Sequence, residues 1–459
     1  MTLAAGHSQD DRRIDFDIAM PGFPESLPGD VLHEQAIIRT ISDGFGRLGF
    51  KPLDTAAVQR QEVLVAGGAQ YLDGGIPEFA FTVEEPPESR TGARFALRYD
   101  LTVPVSRFIA EHSDKLVFPL HSYQINKVWR AEQITTATHW REFYQCDVDV
   151  IDRGELNFLY DAEIAYAVDT AFQGIGVDGF TIRVSNRKVL SALLDSHGVR
   201  VHRARGIVQI LDKGAGQEIS ETVAQLTSAG VPPQVAADLA RLATSTTIAE
   251  ATELLDARGA DKTGLGELER VMRAAEDLGM PDGHLVLDFS ITRGHDYYTG
   301  TVFEIYATGR EHWGAIGAGG RYDDLLGHVN GISYPGVGMS VGLARLMGLL
   351  REDGLFARRR PRENAAVVVP STAGLDDAVL RAVRDLRLAG VATRAMFDPV
   401  AAEETSGIAE ESEVAVLVDV QGADAVRVLH LPSGADTKVR LDEVARAVAE
   451  LSDAVKAGA

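Results

Sequence analysis

The sequence predicts an α+β protein with an antiparallel sheet flanked by helices, a helical insertion and a small C-terminal α/β domain. Three observations support this fold class. Residues 120–132 and 141–151 alternate apolar and polar side chains on either side of a polar "QITTATHW", which predicts a long antiparallel hairpin. Residues 188–279 are rich in Ala, Leu and Glu, which favour helices. Beyond residue 364, strand-like and helix-like segments alternate, which is typical of a small α/β domain.

The elements around the hairpin follow from local patterns. In residues 29–50, apolar side chains recur at helical spacing and Gly49 can end the helix. Residues 93–100, "ARFALRYD", predict a strand, and residues 101–112 predict a short helix after a turn. After the hairpin, "DAEIAYAVDTAFQGIG" (161–176) predicts a helix that ends on glycine.

Strands resume after the insertion. They are predicted at residues 285–294, 301–307 and 314–326. Residues 336–353 begin as a strand and become a helix, and the basic, proline-containing segment 355–363 predicts a linker. We therefore expect a core of residues 1–354 and a C-terminal domain of residues 364–459. In that domain, strands are predicted at 365–371, 391–397, 413–420 and 425–432, and helices at 374–390 and 441–455.

The composition limits the class of protein. With 459 residues, of which 45% are hydrophobic, we expect two or three globular domains with a large core. No apolar run approaches the ~20 residues needed to span a bilayer, and the first sixteen residues lack the apolar region of a signal peptide, so we expect a cytoplasmic protein without a membrane partner. The single cysteine, Cys146, excludes an internal disulfide and a multi-cysteine metal site. The net charge of -22 argues against a broad nucleic-acid binder but allows a local basic groove.

Two glycine-rich segments, "GAGGRYDDLL" (317–326) and "GVGMSVG" (336–342), lack the spacing of a Walker loop or a dinucleotide-binding loop. Their glycine content alone predicts tight turns at which two backbones pack closely.

Polar side chains recur on the predicted hairpin. Arg130 and Glu132 lie two residues apart on one face, where they either form a structural ion pair or leave the arginine for a phosphate. Gln145, Asp147 and Asp149 share one face of the returning strand. Such a face lines either solvent, as is usual for an edge strand, or a polar pocket.

Further polar residues lie at other strand ends. Asp100 and Thr102 share a face in "RYDLTVP", and "ITRGHDYYTG" brings Arg293, Tyr297 and Tyr298 together at the join of two predicted strands. Carboxylates can bind an ammonium group, and arginines can bind a phosphate. Together these residues suit a site at which an amino acid meets a nucleotide.

Several motifs carry a family resemblance. "VWRAE" and "WREFYQCDVDV" together resemble motif 2 of the class II aminoacyl-tRNA synthetases, and "GVGMSVGLARL" resembles motif 3. Within that class, five ordered blocks resemble the histidyl-tRNA synthetase family, especially its eukaryotic and archaeal-type branch: "LRYDLTVP", "REFYQCDVDV", "IRVSNRKVL", "TRGHDYYTGTVFE" and "GAGGRYDDLLG". The resemblance implies a class II antiparallel sheet, a helical insertion at about residues 188–279 and a C-terminal anticodon-binding-like domain.

The resemblance also implies roles for individual residues. The catalytic residues would be Arg130, Arg293 and Arg345. ATP would contact Arg130, Glu132, Arg141 and Arg345. Histidine would contact Asp100, Thr102, Gln145, Asp149, Arg293, Tyr297 and Tyr298, the first three at its α-amino group and Asp149 and Tyr298 at its imidazole. The family implies L-histidine, ATP with Mg²⁺ and tRNA(His) as substrates, a homodimer, and no metal ion held by protein side chains.

Some positions depart from the family pattern. Ala56 replaces a proline and Gln59 a glutamate in the motif 1 region, which builds the dimer interface. His139 stands where the motif 2 loop has arginine, and Ala344 where motif 3 has glutamate. His295 stands where the family has an apolar residue, and we predict that it is structural.

The C-terminal domain also departs in its charge. Residues 362–459 contain 10 Lys and Arg against 17 Asp and Glu, a net charge of -7, and residues 398–413 contain no basic residue. This is either a solvated acidic face or a sign that contact with an anticodon is lost. Two alternatives therefore stay open: a paralogue that activates histidine for a non-tRNA acceptor, and a non-catalytic regulatory subunit of ATP phosphoribosyltransferase.

Overall fold

A computed structural model gives the structure of the chain. It describes residues 20–66, 80–89, 91–131, 140–177, 179–199, 207, 210–211, 218–291, 298–323, 325, 328–329, 332–354, 365–400, 415–431 and 434–457. The chain divides into two compact units, Met1–Gly354 and Leu355–Ala459. Over the described ranges, no helix combines the length and the apolar character needed to cross a membrane.

The helices within the described ranges are α1 (Pro28–Arg47), α2 (Gln61–Ala66), α3 (Thr102–His112), α4 (Leu159–Ile175), α5 (Arg187–Ser196), α6 (Ile219–Ser228), α7 (Pro233–Thr244), α8 (Ile248–Arg258), α9 (Thr263–Asp277), α10 (Leu343–Glu352), α11 (Asp376–Leu388) and α12 (Val444–Ala457). The strands of the first unit are β1 (Lys51–Pro52), β2 (Val58–Arg60), β3 (Thr82–Val83), β4 (Phe95–Leu97), β5 (Leu120–Trp129), β6 (Glu142–Ile151), β7 (Phe180–Asn186), β8 (Leu285–Leu287), β9 (Thr301–Ala307), β10 (Gly317–Tyr322), β11 (His328–Val329), β12 (Ile332–Ser333) and β13 (Gly336–Gly342). Those of the second unit are β14 (Ala365–Pro370), β15 (Ala392–Ala395), β16 (Val416–Val420), β17 (Ala425–His430) and β18 (Ala435–Arg440).

An eight-stranded sheet forms the centre of the first unit, in the order β1-β5-β6-β13-β10-β9-β7-β8. The six inner strands pair antiparallel, whereas β1 and β8 at the edges pair parallel to their neighbours. The predicted hairpin is confirmed: β5 pairs antiparallel with β6 from Leu120↔Ile151 to Trp129↔Glu142. This order makes β6 an internal strand, between β5 and β13.

Two long helices of the first unit pack against each other. Helix α1 begins at a proline, whose fixed φ suits the first turn of a helix, and it buries Ile41 and Phe45. Helix α4 ends at Gly176, which has a φ of 75°, a left-handed conformation that glycine adopts without strain. Gly44 of α1 lies close to Ala171 of α4, so the two backbones approach closely.

The glycine-rich segments are strands, as predicted at residues 314–326 and 336–353, whereas the tight turns suggested by their glycine content alone are wrong. β10 and β13 pair over their full length, Gly317↔Val341 to Tyr322↔Gly336. Close backbone packing is nevertheless present, since a Cβ atom on Gly319 would lie 2.2 Å from the Gly338 carbonyl oxygen. Glycine here therefore permits close contact inside a sheet rather than a change of chain direction.

The strand predicted at residues 285–294 is also shorter than expected, because β8 ends at Leu287. The Asp288 carboxylate accepts hydrogen bonds from the Ser290 backbone (2.9 Å) and from Arg183 (3.0 Å). These bonds form a local turn that competes with strand pairing.

Helices α5 to α9 occupy the region of the predicted helical insertion. Thr247 and Glu250 form a capping box at the start of α8, and Gly259 ends that helix in a left-handed conformation. Leu268 and Val271 of α9 are buried, as the apolar face of an amphipathic helix should be.

The second unit contains a five-stranded sheet in the order β15-β14-β16-β17-β18. Its core includes Val368 of β14 and the valines of β16, packed with α11 and α12. β18, an edge strand whose residues alternate between partly buried and exposed, was not predicted. Its sequence, "ADTKVR", has only one β-branched apolar residue, so its apolar periodicity is weak.

Candidate functional site

The inner face of β6 carries three polar side chains that are almost completely buried. Gln145, Asp147 and Asp149 are 8%, 3% and 4% exposed. The alternative that this face lines solvent is therefore wrong, because β6 is an internal strand and not an edge strand.

The strands beside β6 offer these side chains no cation. Residues directly opposite in an antiparallel pair lie on the same face. The partners on β5 and β13 are Asn126 and Gly342 for Gln145, Gln124 and Ser340 for Asp147, and Ser122 and Gly338 for Asp149. The polar row is thus built from neutral neighbours around two acids.

Asp149 is fixed by one strong hydrogen bond. The buried Tyr322 hydroxyl donates to its Oδ1 at 2.7 Å. A Cβ atom on Gly338 would lie 2.0 Å from the same oxygen, so only glycine leaves room for this carboxylate. Burial raises the pKa of Asp149 to about 7, against the lowering effect of the Tyr322 hydrogen bond.

Asp100 lies just before α3, beyond the end of β4 at Leu97. Its Oδ1 accepts a hydrogen bond from the Val103 backbone N–H at 3.0 Å, in the first turn of the helix. Its Oδ2 is buried without a hydrogen-bond partner among the described residues. Burial raises the pKa of Asp100 to about 6. Thr102, the first residue of α3, is partly exposed.

Arg130 lies at the end of β5, close to these acids. Its Nε donates to the Tyr99 carbonyl at 2.9 Å, and its guanidinium lies 5.3 Å from the centre of the Phe143 ring. Its positive charge lowers the pKa values of Asp100 and Asp147, although burial keeps both raised overall. Arg130 therefore combines a fixed backbone contact with attraction to the acids of the site.

Two further predicted residues lie at the ends of neighbouring strands. Arg141 precedes β6, and its backbone N–H donates to the Gly22 carbonyl at 2.7 Å. Arg345 lies in the first turn of α10, directly after β13, and its Nη1 donates to the Ala315 carbonyl at 2.5 Å. The register pairs the last residue of β13, Gly342, with Gln145.

Tyr298 lies on the Asp149 side of the site. A Cβ atom on Gly320 would lie 2.9 Å from its Cδ1, so the ring packs against the β10 backbone. Arg187 donates to the Tyr298 carbonyl at 3.0 Å. Burial and the neighbouring Asp149 raise the pKa of Tyr322, and Tyr298 raises it further. Glu132, His139, Arg293, His295 and Tyr297 lie outside the described residues.

Tyr322 and Ser340 are site residues to which the sequence patterns gave no role. Tyr322 hydrogen-bonds Asp149, and the Ser340 hydroxyl accepts from Gln145 Nε2 at 2.9 Å. Both residues belong to the glycine-rich strands β10 and β13, which were predicted as strands, but the sequence did not show which strands lie next to β6. The strand order β6-β13-β10 is what places both side chains beside Gln145, Asp147 and Asp149.

One departure from the family pattern has a clear structural setting. Gln59 is buried, its Nε2 donates to the Ala56 carbonyl at 2.7 Å, and its Oε1 accepts from Arg107 Nε at 3.1 Å. The amide thus satisfies a donor and an acceptor at once, which a carboxylate could not do.

We call Gln145, Asp147 and Asp149 the β6 row. The buried acids of the β6 row favour a ligand group with positive charge or N–H donors, and Arg130 favours a ligand group with negative charge. Within the described ranges, no group of three His, Cys, Asp or Glu side chains is arranged to hold a metal ion. The arrangement can therefore bind an ammonium or imidazole group on one side and an anion on the other.

Comparison with known proteins identifies the family. The family model for histidyl-tRNA synthetase matches residues 22–346. A protein named histidine–tRNA ligase from Xanthomonas campestris pv. campestris is 35% identical over 405 residues, covering 83% of this chain and 84% of the relative. One with the same name from Xylella fastidiosa is 36% identical over 398 residues, covering 82% and 85%.

The solved structures agree on the fold. The crystal structure of histidyl-tRNA synthetase from Nostoc sp. PCC 7120 superimposes with a TM-score of 0.79 at 29% identity, covering 95% of this chain and 100% of that one. A structure described as an ATP phosphoribosyltransferase regulatory subunit/histidyl-tRNA synthetase, from Bacillus halodurans, has a TM-score of 0.68 at 20% identity, covering 88% and 98%, and shows the fold alone. The extent of the match to the family model and to the curated relatives shows that this chain belongs to the histidyl-tRNA synthetase family.

Proposed function

We propose that the chain activates L-histidine with ATP to form histidyl-adenylate and then transfers the histidyl group to tRNA(His). The observation that carries this proposal is the buried row of acids on β6, with Arg130 beside it and no cation opposite it on β5 or β13. A site that buries acceptors beside an arginine suits an amino acid whose ammonium and ring N–H groups meet the acids and whose carboxylate faces a phosphate.

Histidine recognition divides between two parts of the site. Asp100, Thr102 and Gln145 would hold the α-amino group, and Asp149 and Tyr298 would bind the imidazole. The Tyr322 hydroxyl donates to Oδ1 of Asp149, so we expect Oδ2 to accept a ring N–H. A site with buried polar groups of this kind rejects an apolar analogue strongly, by about 10⁴-fold in comparable sites.

Adenylate formation needs fixed positive charge. A histidine carboxylate oxygen attacks the α-phosphorus, forming a P–O bond, and the bond from that phosphorus to pyrophosphate breaks. Negative charge develops at the α-phosphate, which Arg130 would stabilise, while Arg345 would bind the γ-phosphate side and Arg141 would support ATP binding. The carboxylate is already ionised, so the step needs no general base.

The remaining assignments rest on the family resemblance. Arg293 would lie against the α-phosphate, Glu132 would contact ATP, and Tyr297 would shape the histidine pocket. ATP would bind as its Mg²⁺ complex. A homodimer, a cytoplasmic location and the domain boundaries given above stay predictions on the same basis.

The acceptor is tested separately from the activation step. Purified protein should exchange pyrophosphate into ATP only when histidine is present, and it should charge tRNA(His) with histidine. Exchange without charging would favour the paralogue with a non-tRNA acceptor. Histidine binding without exchange would favour the non-catalytic subunit.

A further inference from the structure

Asp147 is the one acid of the β6 row to which the family pattern gives no role. It lies between Gln145 and Asp149 on the same face and is 3% exposed. Its Oδ1 is buried without a hydrogen-bond partner among the described residues. A buried acceptor left unpaired destabilises the folded protein, which calls for a ligand or another compensating group.

Two other unpaired oxygens belong to the same site. Asp100 Oδ2 and Gln145 Oε1 are also buried and lack a partner within the described ranges. Burial raises the pKa of Asp147, and repulsion from Asp149 and Asp100 raises it further, so these carboxylates lie within electrostatic range of one another. Side chains at alternate positions of a strand are about 6.7 Å apart, so one nitrogen between Gln145 and Asp147 can reach both.

The neighbouring arginines do not supply the missing donor. Arg98 lies near Asp147, but its Nε donates to the Lys127 carbonyl at 2.9 Å and its Nη1 donates to the Thr55 carbonyl. Arg130 attracts Asp147, and its Nε donates to the Tyr99 carbonyl. No hydrogen bond from either arginine reaches Asp147 Oδ1.

We propose that Asp147 is a binding residue for the α-ammonium group of the substrate, adding a second carboxylate to Asp100 beside the Gln145 oxygen. This inference rests on the proposed function, because it assigns an additional residue to the same histidine site. An ammonium group has three N–H donors and a full positive charge, which suits two carboxylates and an amide oxygen.

The test compares two ligands that differ only in the amino group: L-histidine and 3-(imidazol-4-yl)propanoic acid. Calorimetric Kd values should show that Asp147→Asn weakens histidine by about 10- to 100-fold, the size expected for a charge-assisted hydrogen bond. The affinity for the analogue should stay the same or rise, since the variant removes a repelling charge. The preference for the amino group is thus the measured quantity.

Two further variants serve as a control and as a replacement for the asparagine variant. Asp419→Asn, which changes a buried aspartate with one unpaired oxygen in the second unit, should leave both Kd values unchanged. Asp147→Ser gives the same comparison with a smaller side chain if the asparagine variant does not fold. Equal weakening of both ligands, or no change in either, would overturn the inference alone. A wild-type protein that does not bind histidine would overturn the proposed function and this inference together.

Discussion

The central strands of the two units differ in the residues that lie opposite their buried acids. In the second unit, β16 buries one acid, Asp419, directly opposite Arg427 on β17. In the first unit, β6 buries two acids, and the residues opposite them on β5 and β13 are Gln, Ser and Gly. Asp419 Oδ1 and Asp147 Oδ1 both lack a hydrogen-bond partner among the described residues, but only Asp419 has an opposite charge facing it on a neighbouring strand. A buried charge without an opposite charge facing it destabilises a fold, so the difference marks β6 as a strand whose side chains are arranged for a ligand.

Removing the cation beside the β6 row should have the largest effect. Arg130→Ala should lower the rate of histidine-dependent pyrophosphate exchange by about 10²–10³-fold, because it removes a fixed charge that stabilises the developing negative charge. Arg427→Ala, the matched arginine of the second unit, should leave the rate unchanged. Equal losses in the two variants would break the comparison between the units.

Filling the space beside Asp149 should have the next largest effect. In Gly338→Ala the new Cβ would lie 2.0 Å from Asp149 Oδ1, so the carboxylate must move. We expect the KM for histidine to rise at least tenfold and the free energy of unfolding to fall by about 1–3 kcal/mol. Gly422→Ala is the control, since its nearest neighbour, the Ala425 Cβ, is 3.9 Å away. A normal KM in Gly338→Ala would show that Asp149 does not bind the substrate.

The raised pKa of Asp149 makes both stability and binding depend on pH. Burial raises this pKa from 3.8 to about 7, so the empty folded protein binds the proton more tightly than the unfolded chain and loses stability as pH rises between these values. Asp149→Asn should therefore melt at a higher temperature than the wild type at pH 8, with the difference vanishing near pH 4. Histidine affinity of the wild type should fall below pH 7, because a protonated carboxyl accepts a ring N–H less well.

Melting curves and histidine titrations between pH 4 and pH 8 measure both effects. A lower melting temperature for Asp149→Asn than for the wild type at pH 8 would contradict the view that the ionised Asp149 destabilises the ligand-free protein.

Breaking an ion pair of the second unit should have the smallest effect. Arg427 and Asp436 pair at 2.6 Å across β17 and β18 with partly exposed side chains. Asp436→Asn should lower the free energy of unfolding by less than about 1 kcal/mol in a denaturant titration, as is usual for exposed pairs. Adenylate formation should not change. A larger loss would mean that this pair does more for the second unit than exposure suggests.

Periodicity predicted much of the fold. The hairpin of β5 and β6, the strand-to-helix change from β13 to α10, and the main elements of the second unit follow from apolar alternation and helical spacing. The errors have local causes. Glycine content alone suggested turns within the strands predicted at β10 and β13, because a strand interior seldom contains glycine, and only the sheet reveals that close packing against Asp149 and Tyr298 requires it.

The sequence predicted which residue types form the candidate site, but it did not predict that their side chains are buried. Alternation placed Gln145, Asp147 and Asp149 on one face, yet the choice between solvent and pocket depended on which strands lie beside β6. That order joins residues far apart in the chain, such as Gln145 and Ser340, which are 195 positions apart, and no local pattern encodes it. For the same reason Tyr322, the donor to Asp149, was found only in the structure.

Histidine-dependent exchange of pyrophosphate into ATP by the purified wild-type protein tests the central claim most directly. We predict exchange with L-histidine and ATP–Mg²⁺, and none above background with any other standard amino acid. Exchange that ignores histidine, or no exchange by folded protein, would contradict the claim that the buried acids of β6 and Arg130 form a histidine-activating site.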